Sequence, residues 1–160
     1  MRKLAALLPL LLAGCGLQPM YAGGGSGAVA QGLAAIDISP IEGRAGWLMR
    51  NALTDRLQNG NGATRYRLDV RLDDKLEGLG LLSDDTIGRE RRSLRARYQL
   101  VDLENGNIVL DATAGSDAGI DVVSSEYATI AAENTALENL SRDVADRIVT
   151  SIALRLRDQK

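Results

Sequence analysis

Two segments of the sequence carry arginines at alternating positions, and these side chains have the clearest chemical potential in the chain. The guanidinium group is a planar fork of N–H donors that suits phosphate and carboxylate groups. Alternate residues of a strand face one side, so two paired strands would gather these arginines into one basic patch. We interpret the patch as a candidate anion-binding site. Its members are Arg65, Arg67 and Arg71 in the first segment and Arg91, Arg95 and Arg97 in the second.

A charge-balanced, solvated strand face is the alternative interpretation. Asp69 and Asp73 alternate with the first group of arginines, and exposed strand faces ordinarily carry both signs of charge. The whole chain has 19 basic and 21 acidic residues, a formal charge of −2. This balance provides no global field that would attract nucleic acid, so we expect no nucleic-acid partner and any basic function to be local.

Residues for catalysis or metal binding are scarce. The chain has no His and one Cys, which removes the commonest general base and metal ligand and any cage of several thiolates. The pairs Asp73-Asp74 and Asp84-Asp85 lack the closing Glu of a calcium loop, and no Gly-x-Ser-x-Gly motif is present. We therefore expect no enzyme activity, cofactor or metal. A hydrolase that uses paired carboxylates remains the less favoured alternative.

The single cysteine lies at the end of a secretion signal. A positively charged start is followed by an apolar run of about ten residues, which is too short to cross a bilayer. Leu12-Ala13-Gly14-Cys15 resembles the bacterial lipobox, so we expect removal of residues 1–14 and lipidation of Cys15, with acyl chains such as palmitate. An ordinary secretory signal with an incidental cysteine is the alternative. Gly16 in place of Asp favours the outer membrane, with the body in the periplasm.

The residues after the cysteine are rich in glycine. Because residues 15–32 include Gly23-Gly24-Gly25-Ser26-Gly27 and little that would form a core, we interpret them as a flexible tether of roughly 20 Å. Residues 33–160 are then expected to form a single domain.

The hydrophobic pattern of that domain indicates alternating element types. Strands are predicted within residues 33–41, from residue 64 onward, over the segment of Arg91–Gln99 and over residues 108–114, because apolar residues recur there with a period of two. The glycine- and aspartate-rich stretch around residues 78–85 indicates a loop or frayed strand end. Asn105-Gly106 predicts a tight type I′ hairpin turn.

Helices are predicted over residues 47–58 and from about Ser125 to Arg157. The second has Ser124 or Ser125 as its N-cap and a long apolar stripe. The members of this stripe are Tyr127, Ile130, Leu137, Leu140, Val144, Ile148, Ile152 and Leu156. The order β-α-β-β-β-α predicts a two-layer α+β sandwich, in which two helices cover one face of a four-stranded, mostly antiparallel sheet.

Three segments carry a resemblance to a known family. They are Cys15-Gly16-Leu17-Gln18-Pro19-Met20-Tyr21, Gly43-Arg44 followed by Leu48-Met49-Arg50-Asn51-Ala52-Leu53, and Ser125-Glu126-Tyr127-Ala128. Together with the element order, they resemble the LptE family, the lipoprotein subunits of the outer-membrane lipopolysaccharide translocon. Trp47 departs from this pattern, since a polar residue such as Gln is expected there.

The resemblance implies a non-enzymatic role in membrane biogenesis. Such proteins sit within the β-barrel subunit of the translocon, an LptD-like partner, as a plug and an aid to its assembly, and they bind lipopolysaccharide. The candidate arginines would then contact the phosphate groups of lipid A. An auxiliary lipoprotein of another envelope lipid-transport system is the main alternative from a different class.

Overall fold

The protein is described by a computed structural model over residues 27–57, 63–81 and 87–158. Seven elements follow one another in the order α1-β1-α2-β2-β3-β4-α3. Their bounds are α1 Ala28–Ala34, β1 Ile36–Ile38, α2 Gly43–Leu57, β2 Tyr66–Leu81, β3 Ile87–Asp102, β4 Ile108–Asp121 and α3 Glu126–Arg157.

The four strands form one sheet in the order β1-β2-β3-β4. β1 is parallel to β2, with Ile36 beside Tyr66, and the two remaining pairs are antiparallel. α2 makes the crossover between the two parallel strands, as such a connection requires. The predicted two-layer α+β fold is therefore confirmed, and α1 is an additional short helix within it.

The core lies between the helices and one face of the sheet, here called the inner face. The period-two prediction for the central strand β3 is confirmed, because Leu94, Ala96, Tyr98 and Leu100 are all buried. The buried stripe of α3 completes this core from the helical side. Its members are Leu137, Leu140, Val144, Ala145, Ile148, Val149, Ile152 and Ala153.

α2 and α3 run parallel and are joined by polar contacts at both ends of α2. Arg44 donates a hydrogen bond to Asn134 at 2.8 Å, and Arg56 forms an ion pair with Asp146. The Arg56 guanidinium holds the pKa of Asp146 below its usual value, chiefly by hydrogen bonding to the carboxylate.

Two chain segments are more ordered than their composition suggests. Ala28–Ala34 forms helix α1, so residues 28–32 of the expected tether belong to the folded body, where Val29 packs against the core. The glycine-rich end of β2 continues as a strand to Leu81, paired with β3. In both places tertiary packing outweighs the weak local propensity of glycine.

The β3–β4 hairpin is confirmed, but its predicted two-residue turn is wrong. The connection spans residues 103–107, and the Asn105 side chain accepts a hydrogen bond from the Asn107 N–H at 2.9 Å. Gly106 has a φ of 72°, a conformation that glycine adopts without steric cost.

The predicted start of α3 is confirmed, whereas the first turns of its apolar stripe are not buried. The Ser125 hydroxyl accepts a hydrogen bond from the Ala128 N–H, as an N-cap does. Tyr127 is 84% exposed and Ile130 is 47% exposed. α3 continues past the start of α2, so no helix in the described part of the chain faces these two side chains.

Candidate anion-binding face of the sheet

The face of the sheet opposite the helices, here called the outer face, carries the sequence-predicted arginines. Arg67 and Arg71 lie on β2, and Arg91, Arg95 and Arg97 lie on β3. Arg65 immediately precedes β2 and stacks on the Tyr66 ring at 5.1 Å. Because β2 and β3 pair in register, the structure brings both arginine groups onto one surface.

Five of these six arginines have a carboxylate partner. The N–O distances are 3.5 Å for Arg65–Asp102, 3.0 Å for Arg67–Asp69, 2.8 Å for Arg91–Glu77, 2.8 Å for Arg95–Asp117 and 3.1 Å for Arg97–Asp111. The outer face therefore alternates in charge across the strands. These five arginines therefore lie in a charge-balanced face, and their role in binding an anion stays a prediction.

Much of this balance comes from β4, whose acidic residues the sequence interpretation did not include. Asp111, Asp117 and Asp121 occupy odd positions on β4, and each pairs with an arginine of β3. The strand was expected to end at residue 114, whereas it continues to Asp121. The sequence does carry a signal for this longer strand. Polar residues or glycines occupy the odd-numbered positions of residues 111–121, and small or apolar residues occupy the even-numbered positions.

Gly115 allows one of these pairs to form. It lies opposite Arg95 on β3, and the Arg95 side chain crosses over it. Arg95 thereby donates hydrogen bonds to the Ser116 carbonyl at 3.0 Å and to Asp117. A Cβ at position 115 would overlap the Arg95 side chain.

Three carboxylates of this face have pKa values below the usual value for aspartate. Hydrogen bonds from Arg67 and Ser39 lower the pKa of Asp69, and those from Arg97 and Gln99 lower the pKa of Asp111. Hydrogen bonds from Ser93 and Arg95 likewise lower the pKa of Asp117. A general acid needs a shift in the opposite direction, so these carboxylates do not have the character of catalytic acids.

Arg71 differs from the other five arginines. Within the described ranges it has no hydrogen bond or ion pair. Its positive charge contributes to lowering the pKa of Asp69. It lies directly opposite Arg97 across the β2–β3 pair. Like charges in that position repel each other, and an anion bound between them would relieve the repulsion.

A surface cavity of about 440 Å³ lies at this arginine pair. Besides Arg71 and Arg97, polar groups of Ser39, Asp69 and Gln99 line it. The Ser39 hydroxyl donates to Asp69 at 2.5 Å, and the Gln99 amide donates to Asp111 at 2.8 Å. The two guanidinium groups and the second N–H of the Gln99 amide are suitable donors for a phosphate group, whereas the single Ser39 hydroxyl proton is already donated to Asp69.

The neighbouring acidic pair does not form a metal site. Asp73 faces outward and binds Lys75 at 3.0 Å, whereas Asp74 faces inward and binds Arg92 at 2.6 Å. Successive residues of a strand point to opposite faces, so these two carboxylates do not converge. The described part of the chain contains no cluster of three potential metal ligands. Asp84-Asp85 lies outside the described residues.

Trp47 is the largest exposed apolar side chain on α2. It is 64% exposed. It borders a shallow groove between α2 and α3 with Asn51, Glu138 and Arg142.

None of the described helices is long and apolar enough to cross a membrane.

The fold is that of a small two-layer α+β domain with a charged outer face. The model of the LptE family, described as lipopolysaccharide-assembly, matches residues 33–152. Since this match covers most of the chain, the protein belongs to the LptE family of lipopolysaccharide-assembly lipoproteins. The resemblance inferred from the three short segments is thereby confirmed. No curated protein sequence matches the chain.

Solved structures of bacterial lipoproteins share the fold. A candidate lipoprotein from Caulobacter crescentus is 26% identical, with a TM-score of 0.69 over 84% of this chain and 98% of that one. Rare lipoprotein B from Shewanella oneidensis is 15% identical, with a TM-score of 0.56 over 78% and 97%. A minor lipoprotein from Acinetobacter baumannii is 17% identical, with a TM-score of 0.55 over 74% and 90%.

Proposed function

We propose that this protein is the lipid-anchored subunit of an outer-membrane lipopolysaccharide translocon. In this role it binds the β-barrel subunit, an LptD-like protein, and helps to insert lipopolysaccharide into the outer leaflet without catalysing a reaction. The observation that carries the proposal is the family match over residues 33–152. Its fold, shared with bacterial lipoproteins, supports the same role.

Anchoring is proposed to occur through acyl chains on Cys15. Residues 1–26, which include the lipobox and most of the tether, lie outside the described residues. The first described element is α1, which begins about a dozen residues after Cys15, and a flexible chain of that length would span roughly 20 Å. Several acyl chains hold a protein on a membrane far more firmly than one.

Lipopolysaccharide is proposed to contact the outer face through its phosphate groups. Arg71 and Arg97 are the inferred first contacts, because they are juxtaposed and Arg71 has no competing carboxylate partner among the described residues. The remaining candidate arginines, Arg65, Arg67, Arg91 and Arg95, would bind an anion only by exchanging an existing ion pair. The pairs of Arg67, Arg91 and Arg95 are exposed and therefore weak, whereas Arg65 pairs with the buried carboxylate of Asp102.

Co-purification of the lipidated protein from membranes tests the proposed partner. We expect an outer-membrane β-barrel protein to be recovered with it, identified by mass spectrometry. The matched control is Cys15→Ala, which should leave a folded body that is released into the periplasm. Recovery of an inner-membrane transporter instead of a barrel would favour the other class of lipid-transport lipoprotein and contradict the proposal.

A further inference from the structure

One end of the inner face is only half covered by helices. α2 begins at Gly43, level with the region of Asn134 on α3, because Arg44 binds that residue. α3 begins at Glu126, so at 1.5 Å per residue its first two turns project about 10 Å beyond α2. No other helix of residues 27–57, 63–81 and 87–158 fills the space beside these turns. This space is here called the upper notch, and its lining includes Leu76, Glu90, Tyr127 and Ile130.

Three large apolar side chains border the upper notch and remain exposed. Tyr127 and Ile130 lie on the side of α3 that Asn134 turns toward α2, since residues three, four and seven apart share one side of a helix. Leu76 lies across from them on the inner face of β2 and is 42% exposed. Leu68, on the same face of β2 but beneath the helices, is fully buried. The upper notch therefore presents apolar surface of the kind that a binding partner covers.

A carboxylate that lacks a donor lies at the floor of the upper notch. Glu90 is on the inner face of β3, and its Oε2 atom is buried without a hydrogen-bond partner among the described residues. Arg92, the next inward residue, is held instead by Asp74 and by the Glu133 carbonyl. Gly78 lies opposite Glu90 on β2 and contributes no side chain. Such a carboxylate is unfavourable until a donor reaches it.

The charge around the upper notch is negative. The carboxylates at its floor and along α3 are those of Asp74, Glu90, Glu126 and Glu133. The guanidinium groups there are those of Arg44 and Arg92, and both are already bonded, to Asn134 and Asp74. The pKa of Arg92 is raised chiefly by the hydrogen bond to Asp74, and the charge of Glu133 contributes. A cationic group is therefore favoured in the upper notch, whereas a phosphate group is repelled.

We propose that the upper notch binds a segment of the barrel subunit in which an arginine or lysine is flanked by apolar residues. This inference rests on the proposed function and adds the chemistry of the contact. The apolar residues of the segment pack against Leu76, Tyr127 and Ile130, and its cation donates a hydrogen bond to Glu90. The barrel and lipopolysaccharide then contact different surfaces, because the arginine pair that suits phosphate lies on the outer face of the sheet.

Removal of the Glu90 charge tests the polar part of this contact. In membranes that contain the lipidated chain, Glu90→Gln should lower recovery of the barrel about tenfold, because a charge-assisted hydrogen bond is lost. The urea midpoint of the variant should not fall, since no described residue donates to this oxygen. Unchanged recovery of the barrel would overturn the proposal. A lower urea midpoint would do the same, because it would assign Glu90 a structural role.

Ile130→Gln tests the apolar part of the contact. We expect barrel recovery to fall about fivefold, because the partner no longer buries an apolar side chain there. Ile108→Gln is the matched control, since Ile108 is 55% exposed and lies at the opposite end of the sheet. The control should change recovery less than about twofold, as an exposed residue outside the contact does. Equal losses for the two variants would contradict the location of the contact.

Photocrosslinking identifies the bound segment. With p-benzoylphenylalanine in place of Tyr127, the captured barrel peptide should contain an arginine or lysine beside apolar residues. Replacement of that basic residue by Gln should weaken recovery in the wild type but not further in Glu90→Gln, because the two groups form one contact. A captured peptide without a basic residue, or additive losses, would overturn the proposal.

These outcomes separate the notch from the proposed function. Barrel recovery that is normal in the wild type and unchanged by the Glu90 and Ile130 variants contradicts only the contact at the upper notch. Absence of any barrel protein from the wild-type preparation contradicts the proposed function and the contact together.

Discussion

The two faces of the same sheet are built on opposite principles. On β3, the even-numbered residues Leu94 to Leu100 are fully buried beneath the helices, while the odd-numbered arginines on the other side are exposed and ion-paired. Apolar burial dominates folding free energy, whereas exposed ion pairs contribute little. The inner face therefore supplies most of the stability, and the charges of the outer face can change at little cost in folding free energy.

Truncation of the inner face should have the largest effect on stability. Leu94 is fully buried at the centre of β3, so Leu94→Ala removes apolar contacts and leaves a cavity. We expect a loss of about 2–5 kcal/mol in the free energy of unfolding, measured by urea denaturation. The control is Arg95→Ala, the adjacent residue on the outer face. A loss for Leu94→Ala no greater than for this control would break the distinction between the faces.

An intermediate effect is expected at Arg92, the one β3 arginine among the described residues that faces inward. It binds Asp74 at 2.6 Å and the Glu133 carbonyl of α3 at 3.1 Å, with 15% of its side chain exposed. Arg92→Ala leaves both partly buried acceptors without their donor, which should cost about 1–3 kcal/mol.

Arg91→Ala is the matched control for Arg92, since Arg91 is next in the chain and forms an exposed pair with Glu77. Its expected loss is within about 1 kcal/mol. Equal losses for the two variants would show that the orientation of an arginine on β3 does not decide its contribution to stability.

The inner face was the more predictable of the two. Period-two burial of Leu94 to Leu100 follows from the sequence alone, because apolar residues must face the helices. The partners of the outer arginines did not follow, since Asp111 and Asp117 reach them only through the β3–β4 register. Likewise, Tyr127 is exposed because α3 extends past the start of α2, which depends on the assembled structure rather than on local periodicity.

A smaller effect is expected from acid. The pKa values of Asp69, Asp111 and Asp117 are lower in the folded protein than their usual value. Their charged forms therefore stabilise the fold above the unfolded-state pKa of about 4, and this contribution is lost as the pH falls through the folded-state pKa values. The urea midpoint should decline in this range.

Asp111→Asn should make this decline shallower, because it removes one of the titrating groups. The matched control is Asp143→Asn on α3, an exposed carboxylate that forms no ion pair among the described residues. An identical pH dependence in the wild type and Asp111→Asn would show that the ion pairs of the outer face do not contribute to acid sensitivity.

The binding of lipopolysaccharide by Arg71 variants tests the central claim most directly. Arg71→Gln should weaken binding about tenfold, because hydrogen bonds to charged groups contribute about 1.5–3 kcal/mol each. Arg67→Gln, on the same strand and face but paired with Asp69, should change it less than about threefold, and lipopolysaccharide without lipid A phosphates should abolish the difference. Unchanged binding by Arg71→Gln, or equal weakening by Arg67→Gln, would contradict recognition of phosphate at the Arg71–Arg97 pair.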